Sequence, residues 1–208
     1  MASTRISFAG GSKVGYVVRY KDSHAASPPD EGHSDCVLPT GAPVGYFGTG
    51  AVNATGVVYG YSRFAAARPE YVNMADAKAK PCKSTLLVID VGHVRAEAFR
   101  KSWLSMRAKT DGFTIIGNNC STHASRAVFA AGATSSAEIS GTDTPNNLYE
   151  QIVKASLVPW RSYSGYLAFS PISSGGDELM LDFEIEMDGL AVPVDGGPAK
   201  APAFIKVR

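Results

Sequence analysis

The sequence predicts an α+β fold, an antiparallel sheet with helices packed against it, from three patterns of different period. Within 179–187, Leu181, Phe183, Ile185 and Met187 alternate with Asp182, Glu184, Glu186 and the following Asp188, as in an antiparallel strand with one wet face. In 91–107, Phe99, Trp103 and Met106 recur at helical i, i+4, i+7 spacing, so one stripe of that segment packs on a core. At Thr144-Pro145 an N-cap and a first-position proline open a helix that carries Leu148, Ile152 and Ala155 inward and stops before Pro159.

The remaining elements follow in chain order. Val14 to Tyr20 is a strand, and Ser27 to Gly32 is a polar, proline-containing loop that cannot continue it. His33 to Leu38 is a short strand, Pro39 to Pro43 a turn and Val44 to Phe47 its return, which together make a hairpin. From Gly48 to Lys83 no clean period emerges except at Gly56 to Tyr61, another strand. Ser84 to Asp90 reads as a buried strand. Phe113 to Ile116 runs briefly apolar into Gly117-Asn118-Asn119-Cys120, after which Ala124, Ala127, Val128 and Ala131 mark a helix ended by Gly132. Gly165 to Phe169, Leu179 to Met187 and Phe204 to Val207 are the last strands. The 208 residues suit a single domain, with 160–208 as a C-terminal strand extension.

Composition narrows the function. The net charge is +1, from 20 basic and 19 acidic residues, and no stretch interleaves clustered Lys and Arg with aromatics, so nucleic acid is not an expected partner. No apolar run reaches the roughly 20 residues of a membrane span, and the N-terminus lacks a signal-peptide layout, so synthesis in the cytoplasm is expected. Cys36, Cys82 and Cys120 are odd in number and include no C-x-x-C pair, which disfavours a disulfide framework and a structural zinc site. No metal and no cofactor is expected.

Cys120 is the candidate nucleophile. A thiol in the first turn of a helix feels the positive end of the macrodipole, which favours thiolate. The same helix start offers backbone N–H groups to a developing oxyanion, with Asn118 and Asn119 as side-chain donors. The bland alternative is a small buried apolar residue, the commonest fate of a cysteine. Of the four histidines, His24 and His93 read as solvated side chains, and His123, one turn after Cys120, lines a pocket with Ser121 or serves as a second-choice base. His33, at the head of a strand, is the candidate base, because a sheet can hold an imidazole against a facing helix terminus. Its orienting group is Asp35, on the same strand face, or Tyr46, across the hairpin. Cys36 falls on the opposite strand face and Cys82 precedes a core strand, so both read as structural.

Three passages together, Gly32-His33-Ser34-Asp35-Cys36-Val37-Leu38-Pro39 with Gly45-Tyr46-Phe47-Gly48, Gly117-Asn118-Asn119-Cys120-Ser121-Thr122-His123, and Thr144-Pro145-Asn146-Asn147-Leu148-Tyr149, resemble permuted NlpC-type papain-like cysteine hydrolases. Lecithin retinol acyltransferase relatives share that layout, with the histidine strands ahead of the nucleophile helix. The resemblance spans roughly residues 30 to 155 and implies a papain-like fold, Cys120 as nucleophile and His33 as base, with no unambiguous third polar residue. The Asn-Asn-Cys-Ser and Thr-Pro-Asn helix openings resemble bacterial type VI secretion effector toxins. That likeness implies an antibacterial amidase or endopeptidase, exported by a specialised system into a target cell and acting on peptidoglycan peptides. An immunity protein and a secretion-system component are then the expected partners. The competing expectations are a lipid acyl hydrolase or acyltransferase with an apolar lip from Phe47, Tyr59, Tyr61, Phe64 and Trp160, a host-protein deamidase or protease, and a non-catalytic binding module.

Overall fold

A computed structural model describes residues 3–19, 32–49, 55–109, 112–114, 117–137, 144–172, 181–187 and 194–198. Among the described residues nine strands form one sheet: β1 (Ser3–Ile6), β2 (Lys13–Arg19), β3 (His33–Val37), β4 (Pro43–Thr49), β5 (Thr55–Gly60), β6 (Ser84–Asp90), β7 (Trp160–Pro171), β8 (Leu181–Met187) and β9 (Val194–Gly196). Its order is β1-β8-β7-β6-β2-β3-β4-β5, with β9 paired to β7, and every pairing is antiparallel. The antiparallel sheet with packed helices that the sequence predicts is therefore present. Two strands of the expected C-terminal extension join this sheet, β7 pairing with β6 and β8 carrying it on to β1. The expected strand at Phe204–Val207, the position of His24 and the loop at 27–31 lie outside the described residues.

The helices are α1 (Tyr61–Ala67), α2 (Met74–Ala79), α3 (His93–Arg107), α4 (Cys120–Ala130) and α5 (Pro145–Ala155). Strand alternation gives the sheet two apolar faces, and each carries a core. On one face Val14, Tyr16, Val18, Cys36, Val44, Tyr46, Leu87 and Ile89 pack under α3, α4 and α5, through Phe99, Trp103, Val128, Leu148 and Ile152. On the other, Val17, Val37, Phe47, Leu86, Val88, Phe169, Phe183 and Ile185 enclose Phe64 of α1 and Tyr71 of a 3-10 turn at Pro69–Tyr71. The sheet curls over this second core: Leu181 N–H, at the start of β8, donates to Thr40 O in the β3–β4 turn at 2.9 Å. Gly41 makes that approach, since its φ is +81° and a Cβ there would lie 1.9 Å from the Leu181 carbonyl oxygen.

α1 and α2 fall in the stretch where the sequence shows no period. They are short, and α2 is held by Asn73, whose side chain accepts from the amides of Ala75 and Asp76. Ends with stronger local signals agree with expectation: Thr144 caps α5 by accepting from Asn147 N–H, and Cys120 is the first residue of α4.

Candidate active site

The site forms where the start of α4 meets the start of β3. Asn119 caps α4 with a reciprocal box: its side chain accepts from Thr122 N–H at 3.0 Å, and its own N–H donates to Thr122 Oγ1 at 2.9 Å. The box fixes where the helix begins and so places Cys120 in its first turn. Beside it, Ser34 Oγ and Ser121 Oγ lie 2.9 Å apart, both buried, and tie the helix start to β3. Ser121, expected to line a pocket, is this strut.

His33 and Asp35 project together to one side of β3, and Nε2 of His33 lies 2.8 Å from Asp35 Oδ1. That contact leaves Nδ1 for Cys120. The other carboxylate oxygen of Asp35 accepts from Arg19 Nε at 2.9 Å, while Arg19 Nη1 donates to Ser84 Oγ at 3.2 Å. Arg19 is fully buried, with its guanidinium 4.7 Å from the centre of the Tyr71 ring. The imidazole stacks on Phe47, ring centres 4.1 Å apart, with Tyr71 at 5.8 Å beyond. A line of Arg19, Asp35, His33 and Cys120 results, in which every charge is taken up by the next group.

Electrostatics follow this line. Burial disfavours a charged His33, but the Asp35 carboxylate and the Cys120 sulfur outweigh it and raise its pKa to about 9. Burial likewise opposes a Cys120 thiolate, yet the charge and hydrogen bonding of His33, with added bonds from the Ser34 amide and hydroxyl, lower the thiol to about 7. Asp35 is also buried against its charge and is held below the usual carboxylate range by His33 and Arg19. Burial pushes the thiols of Cys36 and Cys82 up instead, so of the three only Cys120 is activated.

The other expected site residues are placed differently. Tyr46 faces the helix side of the sheet, where its ring stacks on His123 with centres 3.5 Å apart and interplanar angle 11°, so the ring against His33 is that of its neighbour Phe47. His123 is 2% exposed and its Nδ1 lies 3.0 Å from Asn119 O, a core position away from His33. Asn118 donates its side-chain amide to Gly112 O, and the side-chain oxygen of Asn119 belongs to the cap. The donors left for an oxyanion are main-chain: the N–H groups of Cys120 and Ser121 have no acceptor among the described residues. His93 is exposed, as expected. Of the aromatics expected as an apolar lip, Phe47 and Phe64 are buried inside the second core and Trp160 packs toward the first, while Tyr59 and Tyr61 are half-buried.

Two site residues carry signals that sequence reasoning passed over. Arg19 ends an apolar strand, where a lone cation requires a buried partner. Gly45 pairs with Asp35 across the hairpin, and a Cβ on it would lie 2.2 Å from Asp35 Oδ1, the atom that holds His33. Gly45→Ala is therefore expected to displace that oxygen and release the imidazole. The measurement is the pKa of Cys120, read from pH-dependent alkylation, which should rise toward an ordinary thiol value while the fold survives. An unchanged profile would show that the glycine matters for packing alone.

Among the described residues no three His, Cys, Asp or Glu side chains gather as metal ligands, and no helix is long and apolar enough to cross a membrane. Compared with protein-family models, with curated proteins and with solved structures, the chain matches none.

Proposed function

We propose that the chain is a cysteine hydrolase of papain-like, permuted NlpC-type architecture, acting on amide bonds through Cys120 and His33. The observation that carries this reading is one arrangement: a thiol in the first turn of α4 beside the His33 imidazole, whose Nε2 lies 2.8 Å from a buried carboxylate, so that the thiol is lowered to about 7 and the imidazole raised to about 9. Between those values the pair rests as thiolate and imidazolium. The thiolate attacks the amide carbon, and the Cys120 and Ser121 amides receive the oxyanion. Nδ1 of His33 then protonates the departing amine, leaving a thioester on Cys120. A water that gives its proton to Nδ1 attacks that thioester, which releases the acid and restores the ion pair. Asp35 keeps Nε2 engaged throughout, so Nδ1 stays directed at the sulfur.

In this reading the substrate is a peptidoglycan peptide and the protein an antibacterial effector, exported into a target cell and countered in its producer by an immunity protein. The lipid-enzyme alternative draws no support from Phe47, which stacks on His33, from Phe64, which is buried, or from Trp160, which packs toward the first core. Incubation with purified peptidoglycan, phospholipid and protein, followed by mass analysis of products, identifies the bond cleaved. Release of shortened stem peptides is the expected result, and fatty-acid release alone would overturn it.

The catalytic and inert readings separate on alkylation. Iodoacetamide should modify Cys120 with a half-maximal rate near pH 7, while Cys36 and Cys82 stay unmodified in the folded protein. Equal, slow modification of all three would leave Cys120 a core residue.

A further inference from the structure

A cavity of about 580 Å³ lies at the far end of the hairpin from His33, between β5, the β3–β4 turn and the C-terminal half of α3, and none of its lining residues belongs to the Cys120 site. Leu38, Val44, Val58, Trp103 and Leu104 make its apolar walls. Its charged lining is of one sign only, with Arg63, Arg107 and Lys109 exposed and, among the described residues, without a carboxylate partner. Three unneutralised cations around an apolar trough select an anionic ligand with apolar parts.

The strand along one wall specifies its shape. β5 ends the sheet, pairing with β4 on one side, and on the other only Thr55 bridges to Gly112 among the described residues. Gly56 to Gly60 thus present a main-chain edge to the cavity. At Gly60 nothing lies within 4 Å of where a Cβ would stand, so another backbone can approach. Leu104, 46% exposed, borders the same trough. Long unprotected edges bind strands. An added strand would turn alternate side chains to the two faces of β5: toward Arg107 and Lys109 on the α3 side, where Val58 packs, and toward Arg63 on the other, where that guanidinium sits 4.6 Å over the Tyr59 ring.

We propose that this trough binds an extended acidic peptide segment, which pairs with the free edge of β5 and sets its carboxylates against Arg107 and Lys109 on one face and Arg63 on the other. Main-chain pairing gives affinity and the cations give selectivity. The site is separate from the Cys120 chemistry, so Cys120→Ala protein should bind as the unaltered chain does, whether or not the chain proves to be a hydrolase.

The experiment is fluorescence anisotropy of the full chain with a fluorescein-labelled Glu-Glu-Val-Glu-Glu peptide, which carries carboxylates on both strand faces, at low salt. Saturable binding is expected, with Lys-Lys-Val-Lys-Lys inactive. The double variant Arg107→Glu/Lys109→Glu should weaken binding about tenfold or more, and the neutral pair Arg107→Gln/Lys109→Gln by less. On unaltered protein, a peptide N-methylated at alternate residues should also bind about tenfold more weakly, because it cannot donate to the edge. Equal affinity of the N-methylated peptide, indifference to charge reversal, or displacement of the probe by dodecanoate with no N-methyl effect would overturn the proposal; the last outcome would assign the trough to a free amphipathic anion.

Discussion

Cys120→Ala is expected to abolish hydrolysis of the identified amide substrate, and His33→Ala to reduce kcat by about 10⁴-fold or more, with both proteins still folded. The two losses should not add. Without the imidazole the thiol is neutral at pH 7 and the leaving amine finds no proton; without the sulfur the imidazolium has nothing to activate. For the unaltered enzyme kcat/KM should trace a bell against pH. Its acid limb lies near 7, below which Cys120 is protonated, and its alkaline limb near 9, above which His33 has lost the proton that the leaving group needs. Asp35→Asn leaves shape but removes the charge that raises His33. Its alkaline limb should therefore fall from about 9 toward the acid limb and narrow the bell. A bell unchanged by Asp35→Asn would show that the carboxylate serves packing only.

Legibility of this site in the sequence tracks how local each signal is. The start of α4 and the start of α5 are written in four or five consecutive residues, so Cys120 in a helix's first turn and Thr144 at a cap follow without tertiary information. The β3–β4 hairpin is equally local, and period-two alternation alone puts Asp35 beside His33 and Cys36 away from both. Choosing between Asp35 and Tyr46 needed the register. Asp35 stands opposite Gly45, so Tyr46 shares the face of Ser34 and Cys36, toward the helices. Arg19 was beyond reach for a different reason: β2 meets β3 and β6 from distant parts of the sequence, and only that pairing brings Arg19, Asp35 and Ser84 together. The short helices α1 and α2 were missed because six or seven alanine-rich residues show no period, and their formation depends on the second core beneath them.

Arg19→Met carries the largest expected effect on stability. Methionine fits a buried apolar stem, and it removes Nη2, which is buried without a hydrogen-bond partner among the described residues. What it leaves is worse, an Asp35 carboxylate wholly buried with His33 as its remaining ionic partner, and breaking one side of a buried pair costs about 3–5 kcal/mol. Urea unfolding at pH 7 should register that loss as a lower midpoint with an unchanged slope. The pH dependence fixes its origin. Asp35 is depressed in the folded protein, so its stabilisation is present above the ordinary carboxylate value and disappears as pH falls through the folded value. Without Arg19 the folded value rises, and acid unfolding should begin at higher pH than in the unaltered chain. His33 responds in the opposite sense to a simple loss of structure, because removing a nearby cation while the carboxylate stays ionised favours the imidazolium. The alkaline limb of the activity bell should thus move up even as the protein becomes less stable. A parallel downward shift of both limbs would mean that Arg19 only packs the second core and does not set the charge behind the imidazole.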